Sequence, residues 1–111
     1  MLMEPLGFGY RRLYLAFLDA DGLMLPDLVE IDGVPASADP RECRQLLTMC
    51  AGVLHDVDSA ASLAILYCRP GPGPVRAADR TWPQALRTAA ARQGASLWPT
   101  HVACDDFLTL P

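Results

Sequence analysis

A chain of 111 residues, 51% of them apolar and 20% charged, can close one hydrophobic core and is too short for two ordinary domains. Its net charge of −4, with all nine basic residues arginines, counts against broad electrostatic binding of nucleic acid. No apolar run approaches the ~20 residues of a membrane span, and the first residues lack a basic segment followed by a long apolar one, so the expectation is a cytoplasmic domain.

Residues 1–10 hold Pro5, Gly7 and Gly9 without a clear period and read as an arm before a domain spanning 11–111. Residues 11–18 are rich in aliphatic and aromatic side chains and run into Asp19-Ala20-Asp21-Gly22, a strand followed by a turn. The apolar pattern resumes over 23–31 before Asp32-Gly33, giving a second strand that can pair with the first as a hairpin. Pro26 places that strand at an edge or delays its start.

Asp39-Pro40-Arg41-Glu42 supplies an N-cap acceptor, a proline at the first helical position and a glutamate three residues after the cap. Cys43, Leu46, Leu47, Cys50, Val53 and Leu54 then recur at three and four, one buried stripe of a helix ending near His55-Asp56. Residues 62–68 are short and almost continuously apolar, which predicts a central strand covered on both faces. Residues 69–74 alternate proline and glycine and can sustain neither ladder nor helix, so they form a stiff loop.

A second helix follows, with its start ambiguous because Pro83 suits only a first turn and Thr81-Trp82-Pro83-Gln84 also reads as a capping box. Trp82, Ala85, Leu86, Ala89 and Ala90 form its inner face, and Gly94 is a natural stop. Residues 96–104 and 107–110 flank Asp105-Asp106 as a closing hairpin or a strand with a short edge strand. The order is β-β-α-β-α-β-β around a mixed sheet, an α+β or mixed α/β domain of three-layer character.

Strand C-termini beside helix N-termini are where such folds place ligands, so residues 67–79 are the candidate site. The amides of Gly71, Gly73 and Val75 with Arg69 and Arg76 could cradle an anion there. Prolines 70, 72 and 74 have no N–H to give, which favours a rigid connector over a phosphate nest. Cys68 beside an arginine invites a nucleophile reading, but strand alternation turns it away from Tyr67 and Arg69 onto a packed face. His101 in a strand and His55 at a helix end lack partner motifs. Glu30 and Asp105-Asp106 read as solvated carboxylates before acid-base groups. Cys43, Cys50, Cys68 and Cys104 are not at metal-knuckle spacing and read as buried thiols.

Three local runs share an order: 13–18 with the 19–22 turn, Gly33 through Pro40-Arg41-Glu42, and 96–110 with Leu97, His101, Asp105-Asp106 and Leu110. Together they resemble the RadC-like branch of the JAMM (MPN) domain family over roughly residues 12–110. The resemblance implies a JAMM or cytidine-deaminase-like fold and a metal signature of His-x-His-Pro, a glycine-containing loop and Ser-x-x-Asp, with an upstream glutamate. Here the corresponding run is Tyr67-Cys68-Arg69-Pro70-Gly71, with Arg76 in the serine position, Asp79 in the aspartate position and Glu30 a loose match to the glutamate. A phenol and a guanidinium cannot replace two neutral imidazoles as zinc ligands, so neither metal nor cofactor is expected.

The leading expectation is therefore a catalytically inactive RadC-like JAMM domain. It would act as a binding or scaffold module through Tyr67, Arg69, Gly71, Gly73 and Arg76 near Asp79, with a protein partner or a second copy. The alternatives are a hydrolase with a rearranged site using Asp79, His101 or Cys68, and a small structural subunit of a larger assembly.

Overall fold

The computed structural model describes residues 11–71 and 74–104 and the backbone of residues 108–109. Its elements follow the expected order: β1 (Arg12–Leu18), β2 (Met24–Asp32), α1 (Pro40–Val57), β3 (Ser62–Cys68), α2 (Ala77–Gln93), β4 (His101–Ala103) and β5 (Leu108–Thr109). The sheet runs β2-β1-β3-β4-β5, antiparallel throughout except for the parallel pair β3 and β4. That pair cannot be joined by a tight turn, and α2 supplies the crossover between its members.

The β1–β2 turn is locally encoded. Asp19 Oδ1 accepts hydrogen bonds from the backbone N–H groups of Asp21 (2.9 Å) and Leu23 (3.0 Å), and Gly22 takes the left-handed φ of +81° that the reversal needs. Pro26 lies inside β2, which is tolerated because β2 is the edge strand and the register shifts beside it, between Ala16 and Leu18.

Helix α1 begins where its cap residues require. Asp39 Oδ1 accepts from the Arg41 N–H at 2.9 Å, Pro40 opens the helix, and Glu42 sits in the positively polarised first turn. Replacing Asp39 with alanine is expected to cost ~1 kcal/mol of stability in a urea titration, with the slope of the transition unchanged. Of the expected stripe, Cys43, Leu47, Cys50 and Leu54 are buried and Leu46 is partly buried against them, whereas Val53, placed on the same face by spacing alone, is 39% exposed at its margin.

Helix α2 starts earlier than either reading of Pro83 allows. It opens at Ala77, so Pro83 is its seventh residue and lies in the interior. The signal that sets the start is Asp79 three residues past the cap, whose carboxylate accepts the Arg76 N–H at 2.8 Å. Thr81 does not cap this helix. Its hydroxyl donates to the Ala78 carbonyl at 2.6 Å and accepts the Ala38 N–H at 2.8 Å, while Trp82 Nε1 donates to the Pro35 carbonyl at 3.1 Å. The stretch leading into α1 is thus pinned to α2. Gly94 closes α2 in the left-handed conformation expected of it, φ +65°.

Leu13, Leu15 and Phe17 of β1, Leu63, Ile65 and Tyr67 of β3 and Val102 of β4 form one buried face of the sheet, and both helices pack on it. The architecture described is therefore two layers, helices over sheet, not three. β3 is central as expected, but its alternate residues Ala64 and Leu66 are only half buried and line an open groove with Tyr14 and Ala16. A continuous apolar run is compatible with a covered face or with an exposed apolar one, and here the second holds. Among the described residues no helix is long and apolar enough to cross a membrane.

Candidate functional site at the end of β3

The corner between β3 and α2 is built around a buried cation. The Arg69 N–H bonds the Ala103 carbonyl at 2.9 Å and so continues the ladder one residue past β3. Its side chain turns toward the helix layer and is almost wholly buried, at 1% exposure for the residue. Nε donates to Asp79 Oδ2 at 2.7 Å. One terminal nitrogen donates to the carbonyls of Pro70 (3.3 Å) and Gly71 (3.2 Å), and the other to that of Pro74 (2.9 Å).

The loop's chemistry explains this arrangement. Prolines offer carbonyl oxygens without amide hydrogens, so a Pro/Gly loop folded on itself concentrates acceptors. What it collects is a cation, and the protein's own Arg69 fills the place. The less favoured reading, loop amides cradling an anion with Arg69, finds no support, since the guanidinium is engaged with internal carbonyls and Asp79. Gly71 takes a φ of +89°, which favours glycine at that turn. Gly73 lies outside the described residues. Arg76 is exposed, and its backbone N–H donates to Asp79.

Tyr67 does not face an open cleft either. It is fully buried and stacks on Trp82, ring centroids 5.3 Å apart and planes 24° from parallel. Among the described residues, neither its buried hydroxyl nor the nearby buried Arg11 Nε has a hydrogen-bond partner. Burial pushes the Tyr67 phenol up from its ordinary range, with the Arg11 charge partly opposing the shift. The hydroxyl therefore stays protonated near neutral pH, and a protonated phenol beside two guanidinium groups does not fit a divalent cation. The residues present at this corner do not suit zinc.

The remaining candidates are elsewhere. Cys68 points to the other face, as alternation required, and is buried; its thiol is pushed up to about 11 by that burial, with Arg12 only partly opposing. A thiol so raised is not a thiolate nucleophile at neutral pH. His101 is exposed on the outer face, in register with Leu66. Glu30 is in register with Tyr14, also on the outer face, with a carboxylate oxygen 3.5 Å from Arg12 Nε; Arg12 bonds Asp32 as well. Asp79 is thus on the helix side of the sheet, and Cys68, His101 and Glu30 are on the other. The structure does not assemble Asp79, His101 and Cys68 into one site. Asp105-Asp106 lies outside the described residues. His55, in the last turn of α1, sits where a basic group meets the helix dipole, and all four cysteines are buried.

Two features were not anticipated from the sequence. One is the Arg69–Asp79 pair, whose available signal was an arginine entering a loop rich in carbonyls and poor in amides, with an aspartate at the third position of the next helix. The other is a groove of about 800 Å³ on the outer face, floored by Ala16 and Ala64 and walled by Tyr14, Leu66, Trp98 and His101. Small residues at matched positions of adjacent strands, Ala16 opposite Ala64, were its signal. Comparison of the chain with protein-family models, with curated proteins and with solved structures finds no match.

Proposed function

We propose that the chain is a RadC-like JAMM domain in which the metal corner has been rebuilt as an internal ion pair, and that it serves as a cytoplasmic binding or scaffold module. The carrying observation is the contact between Arg69 and Asp79 at 2.7 Å. The resemblance puts metal ligands at 67, 69 and 79, and two of these positions, ten residues apart in sequence, touch through their side chains. The third, Tyr67, sits beside them against Trp82. The element order β-β-α-β-α-β-β and the half-exposed apolar outer face support the same reading, with a protein partner or a second copy as what the module binds. A hydrolase built on Asp79, His101 and Cys68 finds no support in their placement.

The test is a gain of metal. The double variant Tyr67→His/Arg69→His restores the His-x-His pattern around the native Asp79, and it should acquire one zinc per chain that is lost again when Asp79→Asn is added. Circular dichroism establishes first that the variant is folded. Arg69→His alone, which leaves the Tyr67 stack on Trp82 intact, is the less intrusive version and should show weaker zinc binding with the same dependence on Asp79. Folded variants that take up no zinc would remove the RadC-like ancestry.

A further inference from the structure

We infer that the outer face of the sheet is a docking groove for a protein segment whose apolar side chains are followed by arginine or lysine. The face is made of alternate residues of β1, β2, β3 and β4: in register, Tyr14 lies between Glu30 and Leu66, and Ala16 between Leu28 and Ala64. No described helix covers it, because both helices pack on the opposite side. Leu28 is 54% exposed and Trp98 51% exposed at its two margins, large apolar groups that a lone domain gains nothing by leaving in water. The Trp98 indole is not loose. Its Nε1 donates to Ser62 Oγ at 2.8 Å and its backbone N–H to the Leu63 carbonyl at 2.9 Å, so the ring stands as a fixed wall with little ordering cost on binding.

Charge selects the occupant. Seven of the nine arginines belong to α1, α2 or the loop between β3 and α2. Around the outer face the balance reverses, with Asp19 and Asp21 at the turn end and Glu30 and Asp32 at the other. Arg12, which lies among them, is engaged with Glu30, Asp32 and the Tyr14 hydroxyl. Past Trp98 the groove opens into a smaller, more polar pocket of about 310 Å³ lined by Asp19, Ser62 and Ser96, sharing Gly22, Trp98 and Pro99 with it. An apolar stretch lying over Ala16 and Ala64 would deliver its next side chain to that acidic pocket, where a cation is favoured and a carboxylate is not. Face-to-face pairing of two copies would instead set acidic rims against each other, which argues against a second copy as the occupant.

This inference rests on the outer face alone and stands or falls independently of the zinc experiment on residues 67 and 69. The full chain is titrated with a synthetic peptide of alternating leucines ending in two arginines, and with the same peptide ending in two glutamates. Trp82 is 3% exposed, so acrylamide quenching of the indole emission reports on Trp98. The arginine peptide should protect Trp98, bind roughly tenfold more tightly than the glutamate peptide, and weaken several-fold as salt is raised. Leu28→Asp, at a half-exposed edge position, should remove the protection while leaving the fold intact, and Ala64→Glu should do so from the groove floor. Equal binding of the two peptides, no protection by either, or protection that survives Leu28→Asp would overturn the inference. So would a dimer in sedimentation that Leu28→Asp dissolves, since a second copy would then be the occupant.

Discussion

Asp79→Ala should destabilise the protein by ~3–5 kcal/mol, because it leaves the Arg69 guanidinium buried without its counter-charge. Both side chains are sequestered, at 2% and 4% exposure, so solvent cannot take over from the lost carboxylate. The same substitution removes the acceptor for the Arg76 N–H and loosens the start of α2. The pair's own net contribution is a different quantity, since two ions were desolvated to make it. Replacing both members with apolar residues, Arg69→Met with Asp79→Leu, should therefore cost much less than the two single changes added together. The loop carbonyls of Pro70, Gly71 and Pro74 would lose a donor in that variant, so full recovery is not expected. Urea titrations around the double-mutant cycle should give a coupling of ~2 kcal/mol or more. A loss of less than ~0.5 kcal/mol for Asp79→Ala would mean that Arg69 is not buried as described.

The second large effect is alkaline. Cys43, Cys50 and Cys68 are each pushed from 9.0 up to about 11, chiefly by burial. In the unfolded chain these thiols ionise from 9.0 upward, while in the folded protein they hold their protons until about 11. Over that window the unfolded state binds fewer protons than the folded one, so stability falls as pH rises; below it all three are protonated in both states and contribute no slope. Each thiol contributes ~1.4 kcal/mol per pH unit, and three together ~4 kcal/mol per unit, against a total domain stability of ~5–15 kcal/mol. Tyr67, raised in the same direction, steepens the loss above its ordinary range. Urea midpoints should thus be level up to about pH 8 and drop sharply toward about pH 10. Cys50→Ala should remove close to a third of the slope at a separate cost in packing. Midpoints unchanged across that range would show that the thiols are hydrated in the folded protein.

What the sequence disclosed and what it withheld divide by the range of the interaction involved. Asp39-Pro40, the 19–22 turn and Gly94 act on backbone groups a few residues away, so α1, the hairpin and the end of α2 could be placed from the chain alone. The start of α2 could not, because Pro83 is a strong local signal and Asp79 a weaker one. The capping oxygen also belongs to an ion pair with Arg69, ten residues earlier. The spacing of Cys43, Leu47, Cys50 and Leu54 showed which side of α1 is buried. Nothing in residues 62–68 showed that only one side of β3 would be covered, because coverage depends on where α1 and α2 lie.

The same limit applied to the candidate site. Tyr67, Arg69 and Asp79 were picked out as neighbours of one loop; Arg69 and Asp79 do meet, while Tyr67 stacks on Trp82. The shortage of N–H donors in the proline-rich loop was legible and counted against an anion nest; what the residue types did not show is that the loop carbonyls of Pro70, Gly71 and Pro74 would gather around Arg69 itself. Strand alternation alone was enough to separate Cys68 from Tyr67. The separation of Glu30 and His101 from Asp79 needed the pairing of Glu30 with Tyr14 and of His101 with Leu66.

The most direct measurement is a zinc titration of the unmodified, untagged protein, followed by its heat of binding and by metal content after dialysis. If Arg69 neutralises Asp79 inside a closed corner, no zinc is retained and the titration is indistinguishable from that of Asp79→Asn. Retention of one zinc per chain by the parent, abolished by Asp79→Asn, would contradict it.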